Sequence, residues 1–200
     1  MILGLIPSRL NSTRLLHKPL LIVDGLPIIV HTLKRAKLSK RLDRVIVCTD
    51  SLKIKKIVES NGGEAILTNK NHINGTDRIA EVSLKIKSKL VIDIQGDEPL
   101  VNPKDIDKVV DFHLQNKQHD IIVPNSPFLY PENKNVVKIV SNSSGKVIYF
   151  SRAEIPFPFA QRPKYYYKHL SIVSFKPEAL KKFAKLPRSD LEKYENIELL

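Results

Sequence analysis

The sequence predicts a doubly wound α/β fold with a largely parallel sheet, and three observations carry that prediction. The chain opens on a hydrophobic run at residues 2–6, which is typical of a buried strand. Short β-branched runs then alternate with longer stretches whose apolar residues recur at helical spacing. The stretches between the strands are long enough for helical crossovers, which join parallel neighbours in a sheet covered on both faces.

Each element has its own local signal. Pro27 suits a helix start, Asp50 and Ser51 suit a helix cap, and the Asn-Gly-Gly at 61–63 suits a helix end. These signals predict strands at 2–6, 44–49, 64–67, 90–94 and 169–175, and helices at 27–37, 52–60, about 76–87, 103–116, 177–185 and 190–200.

The pattern changes after Pro124. A Pro- and Asn-rich connection at 127–135 precedes two β-like segments, 136–141 and 146–150, which are separated by a turn at Gly145. We expect a hairpin that projects from the sheet, in a lobe of about residues 127–165. Residues 1–200 are otherwise expected to form a single domain.

Composition excludes several classes of protein. The 42% hydrophobic content supports one sizeable core, and no apolar run approaches the roughly 20 residues of a membrane span. The single Cys48 excludes internal disulfides and cysteine-based zinc clusters, and a buried strand position is expected for it. Charges follow the opening apolar run directly, unlike a signal peptide, so we expect a cytoplasmic protein without membrane insertion.

The net charge of +12 suits a polyanionic partner. Most of the excess comes from lysines scattered over predicted helix surfaces, and no nucleic-acid-binding motif accompanies them, so no nucleic-acid partner is expected. The phosphate-binding loop of ATPases, the dinucleotide fingerprint, the hydrolase elbow and the zinc-protease motif are also missing from the sequence.

The loop after the first strand carries Arg9, Arg14 and Lys18 together with two hydroxyl side chains, Ser12 and Thr13. Ligands of open α/β sheets bind at the carboxyl ends of the strands, where such cations can grip phosphate oxygens. The loop therefore indicates a polyphosphate site. The alternative is that these cations are solvated surface residues of a basic chain.

Two further loops carry chemistry. Gln95-Gly96-Asp97-Glu98-Pro99 follows a buried strand, and its carboxylates could hold magnesium beside a nucleotide; alternatively, it is a helix start with acids on the helix dipole. Asn74-Gly75-Thr76-Asp77-Arg78 leads into a helix whose free backbone amides could contact phosphate or base. Its alternative interpretation is a simple Thr76 cap.

A family resemblance emerges from several strings taken together. IPSRLNSTRLLHKPL, RVIVCTD, NGGEAILT, NHINGTDRIAE, IDIQGDEPL, NVVKIV and VIYFSRAEIP occur in this order over essentially the whole chain. They resemble bacterial 3-deoxy-manno-octulosonate cytidylyltransferases. The resemblance implies a nucleotide-diphospho-sugar transferase-like fold, a homodimer formed through the hairpin lobe, and Mg²⁺-dependent transfer of CMP from CTP to a 2-keto-3-deoxy sugar acid for lipopolysaccharide synthesis.

The resemblance also implies roles for individual residues. Arg9 and Lys18 match triphosphate-binding cations, Arg14 matches the basic residue between nucleotide and sugar, and Asp97 matches a magnesium aspartate. The remaining matches are on the nucleotide or sugar side: Thr76, Arg78, Gln95, His169, and Glu195 or Glu198 in an acidic helix.

Three departures from the family pattern accompany these matches. Leu16 and His17 replace a Pro-Gly turn, and Val173 replaces a sugar-side tyrosine, so an amino-substituted sugar or another keto acid such as a nonulosonate is an alternative substrate. The family's terminal strand, with its second metal aspartate, has no counterpart up to Leu200. The missing strand keeps open one alternative outside the enzymes, a CTP-binding protein without turnover. The net charge of +12 is the only feature that keeps a second one, a nucleic-acid-binding protein.

Overall fold

A computed structural model describes residues 1–10 and 17–200, which form two compact units. Unit 1 comprises residues 1–122 and 171–185, and unit 2 comprises residues 123–170 and 186–200. The predictions for Ser12, Thr13 and Arg14 lie outside the described residues.

The described strands, in chain order, are β1 (Ile2–Ser8), β2 (Ile22–Val23), β3 (Leu26–Pro27), β4 (Arg44–Thr49), β5 (Glu64–Leu67), β6 (Leu90–Ile94), β7 (Ile121–Ile122), β8 (Asn125–Phe128), β9 (Lys138–Ser141), β10 (Val147–Ser151), β11 (Tyr166–His169) and β12 (Ile172–Phe175). The described α-helices are α1 (Ile28–Ala36), α2 (Leu52–Ser60), α3 (Gly75–Ser83), α4 (Pro103–Gln115), α5 (Pro177–Phe183) and α6 (Asp190–Glu195). All of them are too short or too polar to cross a bilayer.

Unit 1 is built on a six-stranded sheet in the order β5-β4-β1-β6-β12-β7. Strands β5, β4, β1 and β6 are parallel, whereas β12 runs antiparallel to β6, with Val173 opposite Asp93. The predicted α/β fold with a largely parallel sheet is confirmed, and the antiparallel pairing at β12 and β7 makes the sheet mixed.

The side chains of the sheet alternate between two helical layers. Ile6, Val47 and Ile92 pack in one cluster with α1, α2 and α4, and all three are fully buried. Leu3 and Leu5 lie one residue out of phase with Ile6 and therefore point to the other face of the sheet. On that face, α3 lies against β1, β4 and β6 and contacts α5.

The helix starts in the structure show that two of the alternative interpretations of the loops at 74–78 and 95–99 are wrong. Ser51 caps α2 as expected, since its Oγ accepts from the Ile54 amide. The cap of α3 is Asn74, whose Oδ1 lies 2.8 Å from the Asp77 amide, so the Thr76 cap is wrong. The helix after β6 begins only at Pro103, so a helix start at Asp97 is wrong as well.

The predicted strand 169–175 is divided between the two units. Residues 166–169 pair as β11 with β8 of unit 2, whereas residues 172–175 pair as β12 with β6 of unit 1. Between them, the Ser171 carbonyl accepts from the Gln95 amide at 3.3 Å.

Unit 2 contains a four-stranded antiparallel sheet in the order β10-β9-β11-β8. The predicted hairpin is present as β9 and β10, and the lobe expected at about 127–165 falls within this unit. Ile139, Phe150 and Ile197 form its apolar core. Lys138 is also buried in the unit, where its ammonium donates to the carbonyls of Asn133, Val136 and Arg152.

Candidate active site at the carboxyl edge of the sheet

Three loops meet at the carboxyl ends of β1 and β6, and two glycines allow them to do so. A Cβ atom at Gly96 would lie 2.5 Å from the Pro7 carbonyl oxygen, and one at Gly75 would lie 3.1 Å from Pro7 Cγ. The end of β1, the start of α3 and the turn after β6 are therefore in direct contact. This is the edge at which open α/β sheets bind their ligands.

Lys18 and Asp97 form an ion pair at this edge, with 2.6 Å between Lys18 Nζ and Asp97 Oδ2. The two residues are 79 positions apart in the chain, so the fold brings them together. Their side chains are 37% and 49% exposed, which leaves both accessible to a ligand. The expectation that the cationic and acidic turns lie at the same edge of the sheet is confirmed for this pair.

A cavity of about 720 Å³ opens among the loops that follow β1, β4 and β5. Positive charge dominates its lining, because four cationic side chains face one carboxylate. The lining residues are Arg9, Leu10, Asp50, Ser51, Leu52, Lys53, Leu67, Thr68, Lys70, His72 and Arg78. Such a cavity suits an anionic ligand the size of a nucleotide.

Arg9 and Arg78 both line the cavity but differ in exposure. Arg9 is exposed, whereas Arg78 is only 2% exposed. The Arg78 guanidinium donates to Thr68 Oγ1 at 2.6 Å, to the Asn69 carbonyl at 3.3 Å and to Asp50 Oδ2 at 3.2 Å. These contacts tie α3 to the loops after β4 and β5.

Gln95 and Thr76 also lie at the carboxyl edge. Gln95 is half-buried, and its Nε2 donates to Asp93 Oδ2 at 2.9 Å. Thr76 is buried in the first turn of α3. Their predicted substrate contacts stay predictions.

Ser171 adds a contact that the sequence interpretation did not include. Its Oγ donates to Glu98 Oε1 at 2.9 Å and so fixes the carboxylate next to Asp97. The only signal in the sequence is the serine itself, in the string His-Leu-Ser-Ile-Val at 169–173.

The donor set for a metal is sparse at this edge. Within residues 1–10 and 17–200, no cluster of three or more His, Cys, Asp or Glu side chains could hold a metal ion. A magnesium ion at Asp97 would therefore need oxygen ligands from the phosphates and water, which is how Mg²⁺ is commonly held beside nucleotides.

Cys48 takes the structural position that the sequence predicts. It is buried in β4, and burial raises the pKa of its thiol far above the usual range. Because the thiolate is the reactive form of cysteine, this side chain cannot serve as a nucleophile.

Three of the predicted substrate-side residues, His169, Glu195 and Glu198, belong to unit 2. His169 lies edge-on to Phe150 with ring centroids 5.5 Å apart, and burial lowers its pKa to about 4. Both carboxylate oxygens of Glu195 are used within the unit, by Ser151 Oγ at 2.6 Å and the Arg152 amide at 2.8 Å. Glu198 is half-buried. The substrate roles predicted for these three residues stay predictions.

Comparisons with known proteins agree on one family. A family model described as cytidylyltransferase matches residues 3–200. A protein named 3-deoxy-manno-octulosonate cytidylyltransferase from Thermodesulfovibrio yellowstonii is 40% identical over 213 residues, covering 98% of this chain and 83% of that protein. A protein of the same name from Fusobacterium nucleatum is 40% identical over 202 residues, covering 99% and 82%.

A solved structure gives the same result. The structure of a CMP:2-keto-3-deoxy-manno-octonic acid synthetase complexed with CTP matches with a TM-score of 0.93 and 32% identity, covering 99% of this chain and 83% of that one. A cytidylyltransferase from Leptospira borgpetersenii, with a TM-score of 0.64 and 22% identity, shares the fold.

Proposed function

Since this chain belongs to the family of 3-deoxy-manno-octulosonate cytidylyltransferases, we propose that it transfers CMP from CTP to 3-deoxy-manno-octulosonate and releases pyrophosphate, for lipopolysaccharide biosynthesis. The observation that carries the proposal is the contact between Lys18 and Asp97 at the carboxyl edge of the sheet. It joins an ammonium group, a donor suited to phosphate, and a carboxylate, a ligand suited to Mg²⁺, at one edge of the sheet. Arg9, which also follows β1, lines a cationic cavity of nucleotide size.

The reaction asks the protein mainly to position its reactants. The anomeric hydroxyl of the sugar attacks the α-phosphorus of CTP and loses its proton to solvent. The bond between the α-phosphorus and the oxygen that bridges it to the β-phosphorus breaks, and pyrophosphate leaves in line with the attack. Arg9 and Lys18 would neutralise the charge on the triphosphate, which grows on the leaving group. Holding the two substrates together removes much of the entropic cost of their encounter.

Asp97 is the residue that we propose for binding Mg²⁺. Its carboxylate oxygens are the donor type that Mg²⁺ prefers, and the side chain is half exposed at the crevice. Magnesium supplies positive charge next to the phosphate oxygens when it is bound. In the structure, Lys18 occupies one side of this carboxylate, so Lys18 and a cation would share it or Lys18 would turn to the phosphates.

The identity of the sugar acid is the least constrained part of the proposal. Val173 is buried in β12 opposite Asp93, and it offers no hydroxyl where the family pattern has tyrosine. This difference supports a second candidate substrate, an amino-substituted sugar acid or a nonulosonate.

The test is pyrophosphate release by the purified protein with each of the four ribonucleoside triphosphates and a panel of 2-keto-3-deoxy sugar acids. We expect release that requires CTP, a sugar acid and Mg²⁺ together. A preference for UTP, GTP or ATP would reject the proposal, and tight CTP binding without release for any sugar would favour a binding protein without turnover.

Replacing Asp97 gives the sharpest test of the metal assignment. We expect Asp97→Asn to lower kcat by about 10²–10³-fold, because charge stabilisation at the transition state is lost. The melting temperature should hardly change, since an exposed ion pair contributes only about 0–1 kcal/mol to stability. Asp111→Asn, which removes the exposed partner of Arg41 on α4, is the matched control. Equal activity in both variants would contradict the role of Asp97.

The proposal includes two further features, a homodimer and a cytoplasmic location. Unit 2 exposes Phe157, Phe159, Tyr165 and Tyr167 by 76%, 92%, 43% and 46%, and exposed aromatic side chains of this kind are typical of subunit interfaces. The cytoplasm is where the substrate CTP is made available, which supports the location.

A further inference from the structure

Asp50 joins two parts of the site that the sequence interpretation treated separately. It follows β4, and its side chain is 17% exposed. Asp50 Oδ1 accepts from the Leu10 amide at 3.3 Å, and Asp50 Oδ2 accepts from Arg78 Nη2 at 3.2 Å. Through one carboxylate, the backbone next to Arg9 is thus linked to Arg78 of α3, which also lines the cavity.

Arg78 holds Asp50 in this position and is itself held by the residues that follow β5. Its side chain is 3% exposed, and its Nη1 donates to Thr68 Oγ1 and to the Asn69 carbonyl. A buried guanidinium keeps its partners because losing one leaves an uncompensated charge in a medium of low dielectric constant. The contacts therefore fix the relative positions of the three loops that line the cavity.

We propose that Asp50 and Arg78 are positioning residues for the nucleotide, acting through the Leu10 amide on Arg9. The inference rests on the proposed function and deepens it. The resemblance implied that Arg78 contacts the nucleotide, whereas in the structure three of its five N–H donors bond to Asp50, Thr68 and the Asn69 carbonyl. Arg9 carries the exposed charge, and the network sets the direction of the backbone from which it extends.

The physical reason for such a network is preorganisation. An exposed arginine on a free loop samples many conformations, and binding must pay for ordering it. A hydrogen bond to the amide of the next residue removes part of that freedom before the ligand arrives. A small displacement of Arg9 would weaken its contact with the triphosphate. Asp50 and Arg78, which also line the cavity, would act on the ligand in this way through Arg9.

A double-mutant cycle separates this role from direct contact. CTP affinity is measured by calorimetry for the wild type, Asp50→Ala, Arg78→Met and the double variant, with circular dichroism and melting curves to establish folding. We expect each single variant to weaken CTP binding by about tenfold. The double variant should bind CTP no less tightly than the single variant with the lower affinity, because both changes break the same link.

Controls come from the same strands. Arg44 pairs with Glu64 at the opposite ends of β4 and β5, and both side chains are about 40% exposed, so Arg44→Met should leave CTP affinity unchanged. Thr68→Val keeps the shape of its side chain but loses one acceptor for Arg78, and it serves as a milder variant should Arg78→Met fold poorly. It should weaken CTP binding by a smaller factor.

Amide hydrogen exchange at Leu10 supplies a readout that needs no ligand. In the free protein, we expect faster exchange at this amide in Asp50→Ala and in Arg78→Met than in the wild type or Arg44→Met. A direct contact between Arg78 and phosphate would not change the exchange of the free protein.

The outcomes distinguish the inference from the function on which it rests. The positioning role would be overturned if the loss of CTP affinity in the double variant equalled the product of the two single losses. It would also be overturned if the exchange rate of the Leu10 amide were unchanged in the variants. A wild type that neither binds nor turns over CTP would overturn the proposed function, and the exchange at Leu10 would still decide whether the network holds the loop.

Discussion

Individual side chains take roles that depend on partners at very different distances along the chain, from 2 positions for Lys138 and Val136 to 44 positions for Glu195 and Ser151. Lys138 donates to the carbonyls of Asn133, Val136 and Arg152, and Glu195 accepts from Ser151 and Arg152. The sequence pattern marks Lys138 as one more lysine in a basic chain and Glu195 as a sugar-side acid. Local composition and helical spacing do not show where the accepting carbonyls lie in space, or that Ser151 lies beside Glu195. These contacts could therefore not be predicted.

Lys18 and Asp97 show what the sequence can predict at this scale. Their adjacency follows from one rule, that parallel strands bring their carboxyl ends to the same edge of a sheet. The strand assignments at 2–6 and 90–94 therefore predict that both loops begin at the same edge. They do not predict the ion pair itself, because Lys18 lies ten positions after the end of β1 at Ser8. Arg78 lay beyond this rule, because the depth of its burial depends on how the loops after β4 and β5 pack around it.

The lowered pKa of His169 leads to a prediction about how the stability of the fold changes at acidic pH. Burial lowers its pKa from 6.5 to about 4, so the unfolded chain binds a proton first as the pH falls. The folded state should therefore lose stability between pH 6.5 and pH 4, by about 1–2 kcal/mol once partial solvent access is allowed for.

The measurement is the urea-unfolding free energy at about pH 7.5 and about pH 5, on either side of the ordinary histidine pKa. His169→Gln should lose less stability over this interval than the wild type, because only the wild type carries that titrating group. Glu81, whose pKa is lowered from 4.5 to about 2, loses its contribution below pH 4.5 and so stays outside the interval. Equal losses in both proteins would contradict the effect of burial on His169.

At the scale of elements, the buried strands were the most predictable part of the fold. The predicted bounds 44–49, 64–67 and 90–94 coincide with β4, β5 and β6. Continuous apolar runs bounded by turn residues define such strands locally. In contrast, β8 was predicted as a Pro-rich connection, because Pro127 argues against a central strand. The structure places β8 at the edge of its sheet, where proline is tolerated.

Gly96 tests the packing of two elements, the end of β1 and the turn after β6. We expect Gly96→Ala to lower stability by about 1–3 kcal/mol, since its Cβ would lie 2.5 Å from a backbone oxygen that cannot move aside alone. Gly75→Ala is the graded comparison, because its Cβ meets the Pro7 side chain at 3.1 Å and should cost less. Thermal melts of both variants check the order, and a reversed order would contradict the close approach.

The whole molecule consists of two units that each have an apolar core. The sequence predicted one domain with an appended lobe, and the change of pattern after Pro124 coincides with the start of unit 2 at Val123. The return of residues 186–200 to unit 2 was not predicted, because the helices at 177–183 and 190–195 look alike in the sequence and differ in which core they join.

The exposed aromatic residues of unit 2 lead to a prediction at this scale. We expect the wild type to sediment as a dimer at micromolar concentration, because burial of these rings away from water favours association. The double change Phe157→Ser and Phe159→Ser should shift the protein towards the monomer. The melting curve of the variant monitors folding. A wild type that sediments as a monomer would contradict the homodimer.

The single cysteine gives the protein a built-in reporter. Cys48 has no exposed surface, and it lies in a strand flanked on both sides by partners, between β1 and β5. A maleimide dye would therefore not react with Cys48 while the sheet is intact. The rate of labelling would report how often unit 1 opens. With only one thiol in the chain, no engineered label is needed to follow them.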